Sequence, residues 1–425
     1  MKTAWARDAR ARMARALGIA LSLVVTVVTV AQAQTYQGFG ASTPGGTGGA
    51  TVHVTNLNNS GPGSLRGALS QGNRTIVFDV GGEIILTDYL SLYGAFVTID
   101  GFSAPSPGIT LRNRGLIIRG TRGAHDVMVR GIRVRDSAID GIQVAYGAYN
   151  VVIDHVSVSG SQDGNIDITE KSHDVTVSWS IMAGNTKNML VKYNPSRVTL
   201  HHNVFTESLN RSPEFKIDND GGAARETTGD VRNNVIANWA NGYGTLLLDG
   251  AWANLVNNYY TGSRKAIRLS SARAHVRGNQ SADGVDLNRI GNEASPFPSM
   301  PVDTQDACTA ARLVLAGAGA RPLDSVDQEH LARIPMPTCP TVFRSLDKSP
   351  SNLTLDVLGK KSAAPASPDV WMIDLTGLRR PRCVCESERR VESPTPEIDA
   401  LRRARLAPGR VRPNVLALSL HSPNG

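Results

Sequence analysis

Short runs of β-branched and apolar residues recur along this chain, separated by glycine, asparagine, aspartate and serine. They include VTIDG, GITLR, GLIIRG, NVVIDHVSV, DVTVSWSIM, RVTLHHNVF and ANLVNNYYTG. Aligning the segments that end at His155, Ser180, Asn203, Asn234 and Asn258 gives a repeat of roughly 21–31 residues. A repeat of that length is typical of a solenoid in which every coil adds one strand to each face.

Four asparagines, Asn203, Asn234, Asn258 and Asn279, fall at equivalent places near the bends of this repeat. Asparagine tolerates the left-handed conformation that a bend requires, and its amide can bond the same group one coil away. We therefore expect a stacked asparagine ladder, the alternative being unrelated loop asparagines. A β-sandwich is the rival fold, but it needs alternating strands joined by hairpins, and that signal is weak here. The sequence predicts an all-β chain folded as a parallel β-helix.

Residues 1–33 follow the order of a secretory signal peptide. Basic residues come first, an apolar run extends from 17 to 30, and Ala-Gln-Ala at 31–33 provides a cleavage site before Gln34. A transmembrane anchor is the alternative, but the apolar run is shorter than the ~20 residues that a span needs. We expect a secreted, extracellular monomer that is free of the membrane once the signal is cleaved.

The formal charge of +8 is unevenly distributed. The signal region has a net charge of +4 and the last segment, 379–425, a net charge of +5, which leaves −1 for the body between them. A basic isoelectric point often indicates nucleic-acid binding. Because the surplus lies outside the body, the sequence argues against nucleic acid as a partner.

The sequence pattern changes after the last β repeat. We assign 34–292 to the parallel β-helix domain, 293–378 to a C-terminal wrap with short helices, and 379–425 to a disordered basic tail. Helical spacing predicts helices over 304–317 and 325–334. Cys308 and Cys339 are a plausible disulfide staple for the wrap, whereas Cys383 and Cys385 are too close together for an easy mutual bridge.

An ordered series of ionic residues lies on the repeats. It consists of Asp140, Asp163, Asp167, Lys187, Arg211 and Lys216. Asp163 and Asp167 are four residues apart, so on a strand both carboxylates leave the same face. Three converging carboxylates suit a hard cation such as Ca²⁺, although each could instead be an aspartate that caps a turn. An acidic cluster beside a basic one indicates a site for an anionic substrate bridged by metal.

The same segments carry a resemblance to a known family. The stretch VVIDHVSVSGSQDGNIDIT, followed by HDVTVSWSIMAGNTKNML and VTLHHNVFTESLNRSPEFK, resembles the core of the pectate lyase family, whose fold is a right-handed parallel β-helix. The N-terminal GFGASTPGG and VTNLNNSGPGSLRGAL resemble the entry segment of its secreted members. The resemblance covers roughly residues 38–280.

This resemblance implies a Ca²⁺-dependent lyase that cleaves the acidic polysaccharide pectate by β-elimination. It implies calcium ligands at Asp140, Asp163 and Asp167, uronate-binding and catalytic lysines at Lys187 and Lys216, and proton abstraction by Arg211. An arginine base is unusual, because a guanidinium is normally protonated. Lys216 departs from the family, which has arginine there, and a lysine offers a carboxylate one point charge in place of a two-pronged grip.

Two other functions compete with this one. A glycoside hydrolase of polygalacturonase type would use Asp163 and Asp167 as acid and base, but its usual Gly-His-Gly and Arg-Ile-Lys segments are missing from the sequence. A non-catalytic carbohydrate-binding β-helix would have no need of Lys187 and Arg211 at the reacting carbon.

Two histidine-containing pairs invite catalytic roles. Asp154 and His155 are adjacent, so on a strand they point to opposite faces and cannot act on one ligand. We therefore expect a structural role for them. For His201 and His202 we expect support of the Arg211 loop in preference to metal binding.

Overall fold

The computed structural model describes residues 36–339, apart from 218–223, 225, 241 and 263–264. The predicted signal peptide, the predicted tail at 379–425 and residues 340–378 of the predicted wrap lie outside the described residues.

The described chain winds into a parallel β-helix with three sheets, as predicted. Sheet A has ten strands: β1 (Ala50–Val54), β2 (Arg74–Phe78), β5 (Val97–Asp100), β8 (His125–Arg130), β11 (Tyr149–Asp154), β14 (His173–Ser178), β17 (Ser196–His201), β21 (Gly229–Arg232), β24 (Trp252–Val256) and β27 (Arg273–Arg277). Sheet B has nine: β3 (Gly82–Ile85), β6 (Ile109–Arg112), β9 (Ile132–Arg135), β12 (Ser157–Ser159), β15 (Ile181–Ala183), β18 (Val204–Phe205), β22 (Val235–Ala237), β25 (Tyr259–Thr261) and β28 (Gln280–Ser281).

Sheet C carries the ionic residues and also has nine strands. They are β4 (Leu90–Leu92), β7 (Leu116–Arg119), β10 (Ile142–Ala145), β13 (Gly164–Thr169), β16 (Asn185–Lys192), β19 (Ser208–Asn210), β20 (Glu214–Lys216), β23 (Tyr243–Leu248) and β26 (Lys265–Ser270). The helices are α1 (Leu65–Ala68), α2 (Ala307–Gly317) and α3 (Ser325–Ala332), with 3₁₀ turns at Phe39–Ser42, Gly101–Ser103, Gly120–Arg122 and Leu287–Ile290.

Apolar side chains stack in columns inside the solenoid. On sheet C, the partners in register from one coil to the next are Val144, Ile168, Val191, Phe215 and Leu247, all fully buried. Burying a side chain of this size contributes about 1.5–3 kcal/mol. Because strand residues alternate between faces, these inward columns direct the residues between them outward.

The asparagine ladder is present at the bend between sheets A and B. Asn203 Nδ2 donates to Asn234 Oδ1 at 3.0 Å, and Asn234 and Asn258 donate in the same way to the next asparagine at 2.9 Å. One of the two predicted reasons for asparagine, the left-handed conformation, was wrong, whereas the amide bond to the next coil is confirmed. The residue before each ladder asparagine has the left-handed conformation, as at Asn233 with φ 52°. The ladder asparagines are therefore retained for their amides.

The segment after the last coil packs against the outside of sheet B. Val314 and Ile334 join a cluster with Ile181, Val204 and Val235. Helix α2 begins at Ala307, three residues later than predicted. It is preceded by Asp306, whose carboxylate accepts a bond from Thr309 N at 3.0 Å. The structure contains the Cys308–Cys339 disulfide. Among the described residues, no helix is both long and apolar enough to cross a membrane.

Candidate active site

Two of the three predicted calcium ligands, Asp140 and Asp167, are buried on successive coils of sheet C. Asp167 points outward from β13, because its neighbours Ile166 and Ile168 face the core. Asp140 lies on the preceding coil, just before β10, where Gly164 N donates to its Oδ1 at 2.9 Å. Asp167 Oδ1 accepts a bond from Leu190 N at 3.0 Å. These backbone bonds fix one oxygen of each carboxylate.

Electrostatics couple these two carboxylates. Burial raises the pKa of Asp140, and the charge of Asp163 adds to the effect, against the Gly164 bond and the charges of Lys187 and Arg211. Burial raises the pKa of Asp167 well above its usual value, and the charge of Asp140 adds to it. Two desolvated carboxylates that repel each other are stabilised by a bound cation.

The third predicted ligand, Asp163, is placed differently. Strand β13 begins only at Gly164, so Asp163 lies outside it and its side chain is 46% exposed, whereas Asp167 is 5% exposed. Its Oδ1 lies 2.5 Å from Lys187 Nζ. The next residue, Gly164, has to be glycine, because a Cβ at this position would lie 2.2 Å from Asp167 Oδ1.

The carboxylates of this site fit a hard metal ion in part. Within the described residues, no three histidine, cysteine, aspartate or glutamate side chains group closely enough to hold one. Asp140 and Asp167 nevertheless supply buried carboxylate oxygens, the ligand type that Ca²⁺ prefers. The pair fits a hard cation, and Asp163 would complete a set of three on leaving Lys187.

The three predicted cationic residues lie on neighbouring strands of sheet C. Lys187 on β16 is in register with Gly164 on one side and Asn210 on the other. Arg211 follows β19 directly in a left-handed conformation, with φ 61°. Its Nε lies 3.6 Å from Glu214 Oε2. Lys216 on β20 faces outward, and its Nζ lies 3.0 Å from Asp249 Oδ2.

Sequence reasoning missed Glu214, Tyr243 and Asp249. Glu214 is buried and lies in the same outward row as Asp167, two strands further along sheet C. The pKa of Tyr243 is raised by burial and then by the charge of Glu214, while Arg211 opposes the shift. The EFK segment contained a signal for Glu214, because an inward phenylalanine directs both of its neighbours outward. Tyr243 and Asp249 come from a later coil and gave no local signal.

An open cavity adjoins the ionic residues where the chain enters sheet C. Its volume is about 680 Å³, and Asn185, Thr186, Glu207, Ser208 and Leu209 are among its lining residues. Asn185 Nδ2 donates to the Asp163 backbone oxygen at 2.7 Å, which ties the cavity wall to the ionic cluster. We call this cavity, with the neighbouring surface of sheet C that carries Lys187, Arg211 and Lys216, the groove.

The histidine pairs lie on sheet A, away from this groove. Asp154 and His155 are hydrogen-bonded at 2.7 Å, contrary to the opposite-face prediction, because β11 ends at Asp154 and His155 turns into a left-handed conformation. The predicted support of the Arg211 loop by His201 and His202 is wrong. His202 stacks on Trp179 and bonds Gln305, and burial lowers the pKa of His201 to about 3.

Comparisons with known proteins agree with the fold. The family described as "Right handed beta helix region" matches residues 114–281, which confirms the predicted handedness. A probable pectate lyase C from Aspergillus terreus is 34% identical over 336 residues, or 70% of this chain and 75% of that protein. A second, from Emericella nidulans, is 33% identical over 302 residues, covering 66% of this chain and 67% of its own length.

Solved structures show the same fold at low sequence identity. The cedar pollen allergen Jun a 1 has a TM-score of 0.56 at 21% identity, over 67% of this chain and 92% of its own. The thermostable pectate lyase PL 47 has a TM-score of 0.57 at 16% identity, over 69% and 98%. Fold, groove and relatives define a polysaccharide lyase built on a right-handed parallel β-helix. The chain belongs to the pectate lyase family.

Proposed function

We propose that this enzyme is a secreted, monomeric, calcium-dependent lyase that cleaves pectate, a polygalacturonate, by β-elimination. The observation that carries the proposal is the set of three cations Lys187, Arg211 and Lys216 on neighbouring coils of sheet C, near the buried pair Asp140 and Asp167. The relatives are pectate lyases by name, and one solved structure of the same fold, a Bacillus pectate lyase with a TM-score of 0.53, is in complex with trigalacturonate. Export rests on the order of residues 1–33.

The first task of the site is to hold carboxylates of the polymer. A uronate carboxylate replaces Asp163 as the partner of Lys187, and Lys216 binds a neighbouring uronate. Release from Lys187 leaves Asp163 able to join Asp140 and Asp167. Those three aspartates would hold Ca²⁺, which when bound would neutralise the substrate carboxylate and so acidify the adjacent C5–H bond.

The second task is to remove the C5 proton. Arg211, in its neutral guanidine form, takes this proton as the base, and the electrons of the C5–H bond form the double bond between C4 and C5. The C4–O bond breaks, and its oxygen leaves with the bonding pair and takes a proton from solvent. The left-handed backbone at Arg211 and the contact with Glu214 orient its side chain. Elimination consumes no water, so the site does not need the pair of acid and base carboxyl groups that a hydrolase uses.

An assay on purified protein tests this function directly. Polygalacturonate, highly methylated pectin and alginate are each incubated with calcium and with excess chelator, while ultraviolet absorbance records the unsaturated sugar end. We expect a calcium-dependent rise on polygalacturonate. Reducing ends without an absorbance rise would indicate a hydrolase, and full activity in chelator would overturn the metal assignment.

A further inference from the structure

A second feature lies at the corner where the strands of sheet C end and the chain turns toward sheet A. Tyr146 and Tyr193 directly follow β10 and β16, and both have left-handed backbones, with φ 57° and 66°. The residues after them, Gly147 and Asn194, are also left-handed, so the two corners make the same tight turn. The tyrosines are two coils apart, or roughly 10 Å at a strand spacing of about 4.8 Å.

A cation lies over one face of each tyrosine ring. The guanidinium of Arg119 lies 4.8 Å from the centre of the Tyr146 ring, and Lys192 Nζ lies 4.2 Å from that of Tyr193. The two tyrosines remain 41% and 45% exposed. A cation over the ring fixes its orientation, so binding a ligand on the open surface costs little ordering of the side chain.

A cavity of about 550 Å³ lies between the rings. Lys171 and Glu170, which follow the intervening strand β13, form part of its lining. Lys171 is exposed, and Glu170 Oε2 is buried without a hydrogen-bond partner among the described residues. Burial raises the pKa of Glu170.

We propose that this surface, the Tyr146–Tyr193 platform, is a second binding site for the acidic polysaccharide, outside the groove where cleavage takes place. Sugar rings stack their apolar faces on the tyrosines, and uronate carboxylates bind Lys171 and Lys192. The occupant follows from charge and from continuity. Lys192 is the register partner of Lys216, so one outward row of cations on sheet C joins the platform to the candidate active site.

This inference rests on the proposed function and extends its substrate contacts. Its consequence concerns chain length: a short oligomer fills only the groove, whereas a long chain reaches the platform as well. Contacts made equally in the ground and transition states lower KM and leave kcat unchanged. Removing the platform should therefore weaken the binding of long substrates only.

The test uses the double variant Tyr146→Ala/Tyr193→Ala in the full chain. The matched control is Phe102→Ala, because Phe102 is 41% exposed and has Arg130 5.8 Å from its ring centre, but lies at another corner. We expect KM for polygalacturonate to rise about tenfold in the double variant, with kcat unchanged and with both constants unchanged on trigalacturonate. Phe102→Ala should behave as wild type, and equal melting temperatures would establish that the variants fold.

Binding measured by calorimetry in chelator separates this inference from the function on which it rests. If wild type binds polygalacturonate and the double variant does not, the platform stands, whether or not the chain cleaves. If the double variant cleaves and binds polygalacturonate like wild type, or if wild type binds neutral polysaccharide as tightly, the platform is overturned while the lyase assignment stands. A wild-type chain that neither binds nor cleaves polygalacturonate would overturn both.

Discussion

Asp167→Asn removes one buried negative charge and little else. The Leu190 N–H that donates to Asp167 Oδ1 at 3.0 Å keeps an oxygen partner, because an asparagine presents a carbonyl there. Burial and the charge of Asp140 raise the pKa of Asp167 well above its usual value. The charged form is therefore unfavourable in the folded protein without calcium, and we expect the substitution to stabilise the calcium-free state at neutral pH.

The sign and size follow from proton linkage. Because the pKa of Asp167 is higher in the folded state than the usual 3.8, the folded protein binds more protons above pH 3.8. Stability of the wild type therefore falls as the pH rises from about 4 through the raised pKa. Each unit of pKa corresponds to about 1.4 kcal/mol. The substitution should stabilise the folded protein at neutral pH by on the order of 1–3 kcal/mol, the usual cost of an unsatisfied buried polar group, and by little near pH 4.

Calcium should reverse this order. A ligand at 100 times its dissociation constant stabilises the folded state by about 2.7 kcal/mol, and the variant lacks one of the carboxylates that would bind it. Thermal unfolding followed by circular dichroism, with calcium and with chelator, measures both effects. We expect the variant to melt several degrees higher than wild type in chelator and to gain little from calcium.

The matched control is Asp230→Asn on sheet A. Asp230 is fully buried but paired, with Arg232 Nε at 2.8 Å and Asn254 Nδ2 at 3.0 Å. Its neutralisation leaves a charged partner uncompensated, so it should lower the melting temperature with or without calcium. The reasoning is refuted if Asp167→Asn also lowers the melting temperature in chelator, or if calcium stabilises that variant as much as wild type.

The remaining predictions concern catalysis, the ladder and the C-terminal helix. Arg211→Ala should lower kcat at least ~100-fold with KM little changed, because a base acts only as the proton leaves; steady-state kinetics with near-normal kcat would place the base elsewhere. Lys216→Arg should retain or improve activity on polygalacturonate, because a guanidinium binds a carboxylate with two bonds; a dead variant would contradict this. Asn234→Ala should cost about 2–4 kcal/mol in denaturant unfolding, because it leaves buried backbone groups of the neighbouring coil unpaired; an unchanged midpoint would exclude a stabilising ladder. Burial favours a higher pKa for Glu207, but hydrogen bonds from His330 and Arg333 outweigh it and lower the pKa. The stabilisation from these bonds should be present above pH 4.5 and lost as the pH falls through the lowered pKa. Glu207→Gln should therefore reduce stability at neutral pH and not in acid, and equal losses at neutral and acidic pH would contradict the ion pair.

The fold was predictable because its determinants repeat. Each coil contributes one inward residue to a column such as Val144, Ile168 and Val191, so the same pattern is read many times along the sequence. The ladder asparagines were found for the same reason. The helix boundary at Asp306 was less accessible, because a cap is a single local interaction and several residues of the segment could have provided it.

The site was predictable only in part. The rows of sheet C follow from strand alternation, which correctly directs Asp167 and Lys216 outward. Asp163 differs because the strand begins one residue after it, and strand ends are not encoded by a period of two. The role expected of His201 failed because sequence distance from Arg211 does not reveal that a bend places the two residues on different sheets.

The contact between Lys216 and Asp249 joins two coils of the solenoid, so the segment around Lys216 alone does not predict it. The family's arginine is replaced by lysine in the RSPEFK segment, which by itself predicts weaker substrate binding. The structure places the half-exposed Asp249 at 3.0 Å from the lysine, on the next coil of the solenoid. A lysine paired with an exposed carboxylate exchanges that partner for a substrate carboxylate of similar charge, and an exposed pair contributes only about 0–1 kcal/mol. The exchange is therefore close to neutral in free energy. Asp249→Asn, which leaves Lys216 with one fewer negative neighbour, should consequently lower KM for polygalacturonate more than for methylated pectin. An equal change on both substrates would show that Asp249 does not tune the charge of this position.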